Sequence, residues 1–172
     1  RINTGAQTIP DLFMTAGGIN DNNSMATPPL YNSPEQARLG FVTAVNTYFN
    51  ALRAALPGTV LAAMGPWAPV ESIPVNAVAR SKADTILSAM QSIDGPWVFL
   101  DNLDGSWINS SGVRTPAAGS GWQTGTGNVG SPTGVGNGDL YVSADGTHLT
   151  PAGCLYLGQV IAMQLREAIL AL

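Results

Sequence analysis

Val60-Leu61-Ala62-Ala63-Met64 and Trp97-Val98-Phe99-Leu100 decide the fold. Neither run alternates apolar with polar residues, as a strand with one wet face must, so each reads as a strand buried on both faces. Between them lies a helical segment from Pro74 to about Ile93, closed by Asp94-Gly95-Pro96. A strand, a helix and a second strand in succession pair the strands in parallel through a right-handed crossover. The same alternation extends in both directions. Upstream, Asp11–Ala16 reads as a further buried strand. Ser33-Pro34-Glu35-Gln36 then offers a helix start, with serine as N-cap, proline at the first helical position and glutamine at the third. Leu39, Val42, Val45, Phe49 and Leu52 keep a helical period until Pro57-Gly58 stops it, and the strand reading resumes at Thr59. Downstream, Thr150-Pro151 repeats the N-cap-then-proline start, and the last helix runs to the C-terminus. The expectation is a single α/β domain over residues 1–172, a three-layer α/β/α sandwich around a parallel sheet.

Composition narrows the function. A chain of 172 residues, 45% hydrophobic and only 10% charged, buries a sizeable core and is globular rather than disordered. Its net charge is −4 and its seven basic residues are scattered singly, which argues against nucleic acid or an anionic membrane surface as partner. No apolar run reaches the roughly 18–20 residues of a membrane span. The last helix comes nearest, but Gln159, Gln164, Arg166 and Glu167 interrupt it. Cys154 is the only cysteine, so no disulfide forms within the chain, and its place on an apolar helix predicts a buried structural thiol. The low lysine content and the Gly/Ser/Thr/Asn-rich loops point to an extracellular or particle-associated setting. The chain opens on Arg1 and carries no signal peptide, so we expect a processed or partial product.

In open α/β sheets ligands gather beyond the carboxyl ends of the strands. Gly17–Asp21 follows the first strand, Gly65-Pro66-Trp67 the second and Asp101-Asn102 the third. From Asn102 to Asp139 the chain is rich in Gly, Ser, Thr and Asn, holds Trp107 and Trp122, and shows no period. A stretch this long reads as a substrate-side flap with a small β-hairpin, or equally as a tolerated surface insertion. It leads into Asp145-Gly146-Thr147-His148, the site of the only histidine. Acyl transfer needs a base for the nucleophile's proton, an acid to hold that base in one tautomer, and donors aimed at the oxyanion. His148 and Asp145, three residues apart ahead of a helix start, suit the first two tasks. Asn20 suits the third, in a turn that Gly17 and Gly18 let bend tightly. Asp21 braces that turn, and Trp67 lines an acyl pocket or caps the core. Taken singly, a loop histidine is most often just solvated, and Asn-Asp is common turn chemistry.

Taken together, Leu12-Phe13-Met14 leading into Gly17-Gly18-Ile19-Asn20-Asp21, and Asp145-Gly146-Thr147-His148 leading into Leu149-Thr150-Pro151-Ala152-Gly153, resemble the last two signature blocks of the SGNH (GDSL-type) esterase and lipase superfamily. The resemblance implies a flavodoxin-like sheet and a Ser-His-Asp triad needing no cofactor and no metal. It makes His148 the base, Asp145 its orienting acid and Asn20 an oxyanion donor, with Gly18, Asp21 and Trp67 on the substrate side. It runs from the family's third strand to the final helix. It lacks the first two strands, the Gly-Asp-Ser nucleophile block and the block with the second oxyanion glycine. Asp104-Gly105-Ser106 has those letters in another order after a late strand, and Ser24 has no better support.

The nucleophile is therefore expected on a second polypeptide segment, cleaved from the same precursor or encoded separately. In the family's sheet the first strand is central, so a chain beginning at the third exposes a hydrophobic edge that the same segment would cover. The function implied is a serine esterase acting on a carbohydrate or lipid-like ester. The competing expectation keeps the scaffold as a non-catalytic binding or assembly module, on a cell surface or phage particle. Metal chemistry is poorly served by one histidine and no clustered acids.

Overall fold

The computed structural model describes residues 9–17, 33–67, 77–116 and 122–172. The elements are β1 (Leu12–Ala16), α1 (Pro34–Ala55), β2 (Val60–Met64), α2 (Ala77–Gln91), β3 (Trp97–Leu100), β4 (Trp107–Asn109), α3 (Gly138–Tyr141) and α4 (Pro151–Leu170). The expected start of the second helix at Pro74 lies outside the described residues.

Local chemistry accounts for the helix ends. The Ser33 side chain accepts the Gln36 N–H at 3.2 Å and opens α1. Thr150 does the same for Gly153 at 3.0 Å and opens α4. Arg53 closes α1. Its Nη1 donates to the carbonyls of Leu56 and Thr59, each at 2.9 Å, and its Nη2 to that of Pro96 at 2.7 Å. One guanidinium therefore satisfies the helix C-terminus and ties it to the starts of β2 and β3.

The strands lie in the order β1-β2-β3-β4. β1 pairs with β2 and β2 with β3 in parallel, whereas β4 runs antiparallel to β3, with Leu100 opposite Trp107. The all-parallel sheet read from the sequence is thus a mixed one. Only residues 101–106 separate β3 from β4, too few for a crossover, so the chain turns back on itself.

Leu61 and Ala63 of β2 and Trp97 and Phe99 of β3 pack against Phe41 and Phe49 of α1 and Ile86 and Met90 of α2. From the alternate positions, Met64, Val98, Leu100 and Trp107 pack against Ile161, Leu165 and Ala168 of α4. β2 and β3 are buried through both faces, as their unbroken apolar runs require.

β1 is less buried than the strand expected over Asp11–Ala16. It is an edge strand, with Leu12 39% and Met14 38% exposed, and Phe13 packs on the α1 and α2 side. Register places Leu12 and Met14 beside Val60 and Ala62, on the face opposite α1. α4 lies over β3 and β4. The outer edge of β4 is closed by a tight hairpin, in which Thr115 N–H donates to Trp107 O and Asn109 N–H to Val113 O, each at 3.0 Å. The outer edge of β1 has no partner strand among the described residues.

Candidate functional site

The turn before α4 is built by the backbone. Val142 and Leu149 form an antiparallel bridge. The Ser143 N–H donates to His148 O at 2.8 Å, and the Thr150 N–H to Tyr141 O at 2.9 Å. The reversal between them is made at Gly146, whose φ of +69° suits a residue without Cβ. Inside the turn, Asp145 Oδ1 accepts the backbone N–H groups of Thr147 and His148, both at 2.9 Å. Its other oxygen, Oδ2, lies 2.7 Å from His148 Nδ1.

A carboxylate accepts, so the neutral ring carries its proton on Nδ1 and leaves the Nε2 lone pair free. The His148 hydrogen bond, followed by the backbone N–H groups of His148 and Thr147, lowers the Asp145 carboxyl from 3.8 to about 2. The pair sits on the surface, with side chains 79% and 51% exposed for His148 and Asp145. An oriented imidazole whose Nε2 lone pair is not engaged by Asp145 is equipped to take a proton from a hydroxyl brought up to it.

Below the turn lies a cluster of Trp122, Val142 and Leu157, with Trp67, Leu149 and the stacked rings of Tyr141 and Tyr156 packed against it. Trp67, offered by the carboxyl end of β2, therefore shares a cluster with the neighbour of His148. The carboxyl end of β1 lies at the same end of the sheet, since Ala16 pairs with Met64. Gly18, Asn20 and Asp21 lie outside the described residues, as does Ser24. An apolar groove of about 200 Å³ opens beside β1, lined by Thr15, Phe41, Val45, Tyr48, Ala63 and Ile86 among others.

Ser106 is no substitute nucleophile. It is 2% exposed, and its hydroxyl donates to Asp104 Oδ1 at 2.6 Å. Cys154, expected to be buried, is exposed, because α4 turns its neighbour Gly153 inward instead. One feature at the carboxyl ends of the strands has only a faint sequence signal, the placing of Asp101 straight after an apolar strand. Arg80 of α2 hydrogen-bonds the buried Asp101, and it lies 3.0 Å from Asp84 and 3.9 Å from Asp104. Asn102 Nδ2 donates to Gly65 O at 2.8 Å and links the ends of β2 and β3.

Among the described residues, no helix is long and apolar enough to cross a membrane. Nor, among them, do three or more His, Cys, Asp or Glu side chains gather where they could hold a metal ion. Comparisons with protein-family models, with curated proteins and with solved structures find no match.

Proposed function

We propose that this chain is the larger part of a serine ester hydrolase of the SGNH type, with a flavodoxin-like three-layer fold. The observation that supports it best is the Asp145–His148 pair, held at 2.7 Å in a turn whose backbone also bonds the carboxylate. In this reading the serine arrives on a second segment that adds to the outer edge of β1. His148 Nε2 takes the proton from the serine Oγ as Oγ attacks the acyl carbon, and Asp145 steadies the imidazolium. The Asn20 amide donates to the oxyanion, with Gly18 and Asp21 shaping that turn and Trp67 flanking the substrate. Collapse of the intermediate breaks the ester C–O bond, and the imidazolium returns its proton to the departing alcohol. Water then repeats the sequence on the acyl-enzyme and releases the acid. No cofactor or metal is needed. The substrate is a carbohydrate or lipid-like ester, and the setting is extracellular or particle-associated.

Fluorophosphonate labelling of the native protein tests this, read by intact mass on every polypeptide present. A label on a second, serine-bearing segment is the expected result. A label on this chain would place the nucleophile here and remove the two-segment arrangement. A folded preparation that takes no label would sink the esterase reading and leave a binding or assembly module on the same scaffold.

A further inference from the structure

The Gly-rich stretch before the histidine touches the Asp145 turn at two points, and those contacts carry a role that the ester chemistry does not itself supply. Asn128 Oδ1 accepts the N–H groups of Gly130 and Ser131, each at 2.9 Å, and closes a tight turn bridged from Asn128 to Ser131. The Val129 N–H donates to Val142 O at 3.0 Å. This lays the small turn alongside Val142, which is in turn bridged to Leu149. Gly130 rests directly on Ala144. A methyl group built on Gly130 would lie 2.7 Å from Ala144 Cβ, closer than real side chains approach, and a tight 3.1 Å from its Cα. On the other side of Asp145, a Cβ on Gly146 would meet Asn128 Nδ2 at 4.0 Å, ordinary contact. Of the two sequence neighbours of Asp145, Ala144 is therefore backed directly by this small turn.

That backing matters because the pair cannot be held by burial. Both side chains are more than half exposed, so their relative placing depends on the backbone beneath them. A shift of about 1 Å in such a pair is enough to cost two orders of magnitude in rate.

We propose that the Asn128–Ser131 turn is a positioning element for the Asp145–His148 pair. Gly130, through its close fit to Ala144, and Asn128, through its hold on the turn, are its positioning residues. The catalytic consequence rests on the esterase reading above; the positioning does not.

The test uses the chain's single histidine. The ¹⁵N shifts of the neutral His148 ring report which nitrogen holds the proton. In the native protein the Nδ1–H form is expected to dominate. Gly130→Ala pushes on Ala144 and is expected to move the ring toward the Nε2–H form, whereas adding Ala144→Gly makes room again and restores Nδ1–H. Asn128→Ala loosens the same turn without adding bulk and is expected to shift the ring in the same direction. It serves if Gly130→Ala does not fold.

A folded Gly130→Ala with an unchanged tautomer, a double variant that fails to restore it, or an unchanged tautomer in Asn128→Ala would each overturn the proposal. Fluorophosphonate labelling separates the two readings. No label together with a tautomer shift and its rescue keeps the positioning element and loses the esterase. A label together with a silent Gly130→Ala keeps the esterase and loses the element.

Discussion

Asp145 uses both carboxylate oxygens within one turn, and that governs how the site titrates. A carboxyl lowered from 3.8 to about 2 binds fewer protons when folded than when unfolded over that interval. Its hydrogen bonds therefore steady the turn fully above its ordinary value and are lost as the pH falls through about 2. The expected ¹³C titration of the Asp145 carboxyl has its midpoint near 2, and an ordinary midpoint would disprove the pairing. In His148→Ala the midpoint should rise, because the imidazole hydrogen bond is gone, yet stay below 3.8, because the Thr147 and residue-148 backbone donors remain. On the esterase reading, the rate depends on the same geometry. Asp145→Asn offers an amide that can donate to Nδ1, which favours the tautomer with Nε2 blocked, so kcat on an activated acetate ester should fall by about 10⁴. A near-native rate would take Asp145 out of the mechanism. The pair was readable from the sequence because all its parts sit within four residues. The support given by Gly130 was not, since nothing local says which of many glycines presses against Ala144.

At the scale of elements, the cationic clamps matter most. Arg53 bonds carbonyls from three chain segments, the farthest being Pro96. A lysine carries the charge but cannot spread planar donors over these acceptors. Arg53→Lys should therefore cost about 1.5–3 kcal/mol, the range for hydrogen bonds to charged groups, read from denaturant unfolding. An unchanged midpoint would show the carbonyls equally well served by water. Arg80 poses a different case, because its main partner Asp101 is only 5% exposed. Arg80→Ala removes the cation and leaves that carboxylate the Leu103 N–H at 3.0 Å, and about 3–5 kcal/mol of stability should go with it. A loss below about 1 kcal/mol, within the range of an exposed pair, would mean Asp101 finds other partners. The serine and threonine caps and the two buried strands were legible because a cap is a local signal and an unbroken apolar run marks a strand buried on both faces. β4 was not. It has three residues, its apolar run is interrupted, and it forms because the Asn109 side chain holds the hairpin N–H groups of Ser111 and Val113 and the carbonyl of Ala168. The clamps escaped for the opposite reason, being contacts across long stretches of chain.

Across the whole molecule the sheet is asymmetric. β4 has its edge closed by a hairpin, whereas among the described residues β1 has no strand on its outer edge and shows the partly exposed Leu12 and Met14 on one face. An apolar edge of this kind is a template for pairing with another strand, and proteins that leave edges free usually guard them with charge. β1 has no charge in Leu12-Phe13-Met14-Thr15-Ala16. On the esterase reading, this edge of β1 is where the segment with the serine would pair. Met14→Lys sets a charge on the exposed face of that edge. Since Met14 is already 38% exposed, the substitution should leave the packing of β2 and β3 intact. By light scattering coupled to gel filtration, the native protein should elute with a partner segment or as an association of chains, and Met14→Lys should lose that partner. A native protein that elutes as a single folded copy of this chain, with no other polypeptide in its mass spectrum, would mean the edge stands open by design. The nucleophile would then have to be sought among this chain's own serines.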